Sequence, residues 1–244
     1  VQIIDDLEAE QDRLDTLLAA LTVEQWATPS AAAGWTIADV VLHLAQTEEA
    51  VAYTLTRADR PDTFDRGNQP LDQAVDDAVR AERAPADEIF ERWRTARRAA
   101  VDALRSADPD TRVPWAATPL RPQVLATTRL AEHWAHGLDI TTPLDLPFPD
   151  TDRLRHIAWL GHRTLPYAFG VEGLEPHDVF CELTAPDGTT IWTYGPETAD
   201  STIKGPAGDF CRIGARRLKP EHSALKTTGP HAAQALQVLR NYAA

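Results

Sequence analysis

The sequence predicts an α+β protein, with an N-terminal antiparallel four-helix bundle over residues 1–145 and a smaller α+β domain over residues 146–244. Three observations lead there. Up to about residue 140, apolar residues recur at intervals of three and four, the period of a helix with one buried face. Pro143, Pro147 and Pro149 then crowd into seven residues and mark a boundary. Beyond them come runs of β-branched and aromatic residues punctuated by Gly and Pro, the pattern of strands and turns.

Taken in order, residues 3–21 form an amphipathic helix, with Ile3, Leu7, Leu14, Leu17, Leu18 and Leu21 on one face. Thr22-Val23-Glu24-Gln25 has the form of a capping box that opens a short turn carrying Trp26. Thr36 caps a second long helix, with Asp39 in its first turn where the helix dipole favours an acid. Residues 57–70 read as a polar lid or binding loop. A short helix follows from Leu71 to about Arg83, and a long one opens at Ala86-Asp87 and ends at Asp108-Pro109-Asp110. The prolines in 113–120 predict irregular chain, after which a helix starts near Pro122 and is not stopped by Gly137.

Past the boundary, one helix is expected from Thr151 to about Ala168. Val179 to Thr184 and Thr189 to Tyr194 flank Ala185-Pro186-Asp187-Gly188, a hairpin signal. A third strand spans Ser201–Lys204, and Gly205-Pro206 leads into a helix ending near Arg217. Ala224–Thr228 gives a fourth strand, and a closing helix runs from Pro230 through Tyr242.

A net charge of −13 argues against a nucleic-acid partner, because the phosphate backbone would be repelled. No apolar run approaches the roughly 18 residues needed to cross a bilayer, and no secretory leader pattern is present, so no membrane partner and a cytoplasmic location are expected. Composition leaves monomer and homodimer equally open. Cys181 and Cys211 lie in apolar surroundings and are expected to be buried free thiols.

The chemistry concentrates in Arg129-Leu130-Ala131-Glu132-His133-Trp134-Ala135-His136-Gly137-Leu138-Asp139. Helical residues four apart share a face, so Glu132 and His136 point the same way and Asp139 follows one turn on. A carboxylate and an imidazole so placed can close on one metal ion. A third ligand must come from elsewhere, and His43 is the candidate. It lies about 110° from the centre of its helix's apolar stripe, which also fits a mere boundary residue. Asp139 reads either as a partner that orients a liganding histidine or as a surface acid. His133, offset by about 100° from Glu132, reads as structural. Trp35 and Trp134 read as core residues that could also line a pocket and bind a cofactor.

Gly34-Trp35-Thr36, with His43-Leu44-Ala45 and then Glu132-His133-Trp134-Ala135-His136-Gly137-Leu138-Asp139, resembles the mycothiol-dependent maleylpyruvate isomerase family, a branch of the DinB-like metal-binding four-helix bundles. That resemblance implies a C-terminal domain similar to sterol-carrier domains. It also implies Zn(2+) or another divalent metal on His43, Glu132 and His136, with mycothiol as thiol co-substrate. An assisting C-terminal arginine is implied as well, for which Arg217 is the nearest match. The expected activity is metal-dependent thiol transfer or cis–trans isomerisation on a small electrophilic metabolite or biosynthetic intermediate. Two alternatives remain on the same ligands: a hydrolase, since metal-bound water ionises near pH ~7, and a non-catalytic small-molecule binding protein.

Overall fold

The computed structural model describes residues 2–57, 69–116 and 118–242. They divide into two compact units, one ending at Phe148 and the other beginning at Pro149. The first unit is helical. Its principal helices are α1 (Gln2–Ala19), α3 (Ile37–Thr56), α5 (Ala86–Ser106) and α6 (Pro122–Thr141), with the shorter α2 (Val23–Trp26) and α4 (Leu71–Ala81) between them.

Local signals in the sequence set the helix starts. The Thr22 hydroxyl accepts from the Gln25 N–H while the Gln25 side chain accepts from the Thr22 N–H, closing the expected capping box. Thr36 and Asp39 repeat the motif at α3, and Arg83 adds a two-pronged ion pair to Asp39 at 2.8 and 2.9 Å. Pro122 sits in the first turn of α6, where its missing N–H costs nothing.

Leu14, Leu18, Trp26, Ile37, Val40, Val41, Leu44, Ile89, Trp93 and Ile140 make the core. Within the bundle, α3 and α6 run antiparallel, since His43 faces Glu132 and His136 while Glu48 faces Arg129. Likewise α1 and α5 run antiparallel, Asp5 and Glu8 meeting Arg105 and Asp15 meeting Arg94. By contrast α3 and α5 point the same way: Leu42 lies beside Ile89, Glu49 pairs with Arg92, and Thr56 shares a groove with Ala99. Most of the loop expected over 57–70 falls on 58–68, outside the described residues.

Val113 and Leu120 exchange two backbone hydrogen bonds at 2.9 Å, which hold the two ends of the expected irregular stretch together. Gly137 does not interrupt α6. A Cβ there would lie 2.4 Å from the Phe148 ring, so this glycine lets the aromatic ring cross the helix closely, and Arg13 stacks on the same ring at 3.6 Å.

The second unit carries a four-stranded sheet in the order β2-β1-β3-β4, with β1 at Phe180–Thr184, β2 at Ile191–Tyr194, β3 at Thr202–Pro206 and β4 at Lys226–Thr228. The β1–β2 hairpin is present in antiparallel register, Cys181 opposite Tyr194. Its turn is held by Asp187, which accepts from the Thr190 hydroxyl and from the Thr189 and Thr190 N–H groups. These bonds take the start of the expected 189–194 strand into the turn. The parallel pairing of β1 with β3 makes the sheet mixed.

The single helix expected over 151–168 is two helices, α7 (Leu154–Arg163) and α8 (Leu165–Val171). Pro166 has no N–H to bond the His162 carbonyl four residues back, and beside it the Thr164 hydroxyl adds a bond to the Leu160 carbonyl that its own N–H already holds. Helix α9 (Ala207–Gly214) stops short of Arg217, because Arg216 adopts a left-handed φ of 60° and the Arg217 N–H bonds back to the Arg212 carbonyl. The closing helix α10 is confined to Ala232–Val238 rather than 230–242, since Asn241 turns its N–H to the Gly214 carbonyl. Cys181 and Cys211 are buried free thiols, and burial pushes Cys181 up to about 12.

Candidate metal centre

His43 projects from the second turn of α3, and Glu132 and His136 from successive turns of α6. One donor atom from each lies within 4.8 Å of the others. The Glu132 Oε2 stands 3.6 Å from His43 Nε2 and 3.4 Å from His136 Nε2. A tetrahedral site with bonds of about 2.0–2.2 Å has donor–donor edges of roughly 3.3–3.6 Å. The donor set and these two edges therefore fit a divalent ion of zinc type, held by three ligands with a position left for another. Each imidazole keeps 10% of its side-chain surface exposed and Glu132 keeps 27%, so the triad can be reached from solvent.

Asp139 lies under His136, its Oδ2 3.0 Å from Nδ1. That contact occupies Nδ1 and leaves Nε2 for a metal, the carboxylate–histidine–metal relay that fixes ring orientation. The electrostatics agree. Burial works against charge on His136, but Asp139 and Glu132 outweigh it and raise the imidazole above its ordinary value. Burial opposes charge on Glu132 too, yet the facing His136 and His43 hold its carboxyl well below the usual range. His43 is lowered by burial, against the pull of Glu132, so its imidazole stays neutral near pH 7 and its lone pair is available to a metal.

Trp35 comes to the site. Its ring lies 5.2 Å from that of His43 and stacks at 6.3 Å on that of His136. Its Nε1 donates to Asp76 on α4 at 2.9 Å, while the preceding loop is pinned to α6 by the Ala31 N–H on the Asp139 carbonyl. Trp134 is not brought to the triad. At 100° per residue it points to the far side of α6 from Glu132, and it is buried. His133 is structural in its contacts: Nδ1 lies 2.8 Å from the Arg129 carbonyl and Nε2 accepts from Trp93 Nε1 at 3.3 Å. Burial and the Arg129 charge push it down to about 3, so it is neutral. Arg217 belongs to the second unit, exposed just past α9, with its guanidinium on the Ala215 carbonyl.

The sequence reading missed Asp76, Thr47, Glu48 and Arg129, which surround the site. Arg129 falls in the Glu132–His136 stripe one turn earlier, a signal that was there to find. Asp76 and Glu48 carry no spacing that marks them.

Residues 7–141 match the family model described as mycothiol maleylpyruvate isomerase N-terminal domain. The chain belongs to that family. Along its whole length it is similar to an uncharacterized protein of Mycobacterium tuberculosis, recorded in two strains, at 35% identity over 98% of this chain and 94% of the relative. Its fold is that of the crystal structure of the mycothiol-dependent maleylpyruvate isomerase, with a TM-score of 0.61 at 14% identity, covering 94% of this chain and 95% of that one. A histidine-to-alanine mutant of the same enzyme matches at a TM-score of 0.59.

Proposed function

We propose that this protein is a metal-dependent, mycothiol-using thiol transferase or isomerase acting on a small electrophilic metabolite or biosynthetic intermediate. The observation that carries the reading is the His43–Glu132–His136 triad, with donors spaced for one ion and open to solvent, in a chain of this family. Two neutral imidazoles and one carboxylate leave a divalent ion with net positive charge, as catalytic rather than structural sites do. A metal bound there would supply the charge that keeps an entering thiol as thiolate at neutral pH, where a free thiol with a pKa of about 8.5 is only a few per cent ionised. Asp139 holds His136 in the liganding orientation. Trp35 walls the site beside both histidines and gives the carbon skeleton of an incoming thiol a flat apolar surface.

The test is mycothiol titration of metal-loaded and metal-free protein by calorimetry in buffers of different ionisation enthalpy, repeated on cobalt-substituted protein. Expected are binding that depends on the metal, release of about one proton per thiol bound, and an intense sulfur-to-cobalt charge-transfer band. Absence of both the proton and the band at saturating mycothiol would refute the thiol mechanism and leave hydrolysis as the better reading of the donor set. A separate turnover measurement on Arg217→Ala tests the arginine that the family resemblance implies: turnover should fall while bound metal stays unchanged.

A further inference from the structure

One turn from the triad, on both helices that carry it, lies a buried polar network. Arg129 Nε donates to Glu48 Oε1 at 2.8 Å, and Arg129 Nη2 donates to Thr47 Oγ1 at 2.6 Å. The Thr47 hydroxyl in turn donates to the backbone carbonyl of His43 at 2.8 Å. On the other side, the Arg129 carbonyl lies against His133 Nδ1, and His133 is held by Trp93 of α5. The guanidinium of α6 is thereby linked through a single hydroxyl to the backbone of the one ligand that α3 supplies. Arg129 and Glu48 keep only 3% and 0% of their side-chain surface exposed.

We propose that Arg129, with Glu48 and Thr47, is a positioning device for the metal centre: a buried clamp that sets the separation and rotation of α3 against α6, and so the distance of His43 from Glu132 and His136. The inference rests on the metal reading above. Its ground is that this network is a poor choice for stability alone. A buried ion pair recovers its desolvation cost only when geometry and hydrogen bonding are complete, and an apolar pair of similar volume usually does as well or better. Here Glu48 Oε2 has no hydrogen-bond partner among the described residues. The rest of the α3 face is Val40, Val41, Leu44 and Val51, so an aliphatic pair would suit its surroundings. Aliphatic contacts slide, whereas a charged fork on a carboxylate and a hydroxyl admits one arrangement. The two helices would otherwise be free to shift by the few tenths of an ångström that separate a metal-sized triad from a loose one.

The experiment compares wild type, the double variant Glu48→Leu with Arg129→Met, and Thr47→Val, which is close in shape and keeps the ion pair. Three readouts are taken: the melting temperature of metal-free protein, the Kd for cobalt(II) by competition with a chromophoric chelator, and the visible cobalt spectrum. The double variant should melt no lower than wild type yet bind cobalt at least about tenfold more weakly, the loss typical of groups that orient metal ligands, with a weakened four-coordinate band. Thr47→Val should lose affinity in the same direction by a smaller factor. Wild-type Kd and spectrum in both variants would overturn the clamp and leave the metal reading intact. A double variant that does not fold passes the decision to Thr47→Val, whose unchanged Kd and spectrum would overturn the clamp. A wild-type chain that takes up no cobalt would overturn the metal reading and the clamp together.

Discussion

Replacing Asp139 with Asn removes the charge beside His136 and tests whether His136 is a prepared ligand. The side chain keeps its shape, and its surroundings are closed, with 1% of its surface exposed. What changes is the charge 3.0 Å from His136 Nδ1. Loss of a group that orients a metal-bound histidine weakens metal binding about 10–100-fold, or roughly 1.4–2.8 kcal/mol. The pH dependence has a definite sign. In the metal-free protein Asp139 and Glu132 raise His136 above its ordinary value, so protons compete with metal over a wider range in wild type than in the variant. The affinity gap should therefore be largest on the alkaline side, above the raised His136 value, and should narrow as pH falls through it. Metal-free stability follows by linkage. The raised His136 contributes stability that is fully present below the unfolded imidazole value of about 6.5 and is lost as pH rises through the folded value. Asp139→Asn should remove most of that acid-side contribution. Chelator competition across this pH range, with urea unfolding of the metal-free proteins, measures both. A cobalt Kd within twofold of wild type on that alkaline side would refute the reasoning that Asp139 prepares His136.

Three further outcomes are expected. His43→Ala and His136→Ala should each reduce bound divalent metal from about one per chain to a small fraction, measured by elemental analysis after dialysis; full occupancy in both would mean the triad is not the site. Trp93→Phe removes the donor to the buried His133 Nε2 at 3.3 Å, and should lower unfolding free energy by about 1–3 kcal/mol in urea with metal content unchanged. Gly137→Ala places a Cβ 2.4 Å from the Phe148 ring. The overpacking cost of about 1–3 kcal/mol should exceed the roughly 1 kcal/mol gain in helix propensity, lowering the melting temperature; an unchanged or higher value would show that Phe148 moves aside freely.

Local rules were enough for much of this molecule. The capping boxes at Thr22 and Thr36, the apolar stripes of α1, α3 and α5 and the β1–β2 turn at Asp187 depend on residues within a few positions of one another, so periodicity and hydrogen-bonding capacity specify them without the rest of the chain. The same is true of the Glu132–His136 pair, whose common face follows from helix geometry alone. Pro166 splits the helix expected over 151–168 into two. What local rules do not contain is which helix faces which, and in what register. That His43 meets Glu132, that Trp35 lies over both histidines on a tether to Asp76, and that α3 runs alongside α5 in the same direction are all results of packing over separations of tens of residues. Only the packed fold can make such contacts, because their partners arrive from another helix. The Arg129–Glu48 pair shows it most clearly: in sequence these are two ordinary charges 81 positions apart, and only the folded interior, by excluding water from both, makes them one unit beside the candidate metal site.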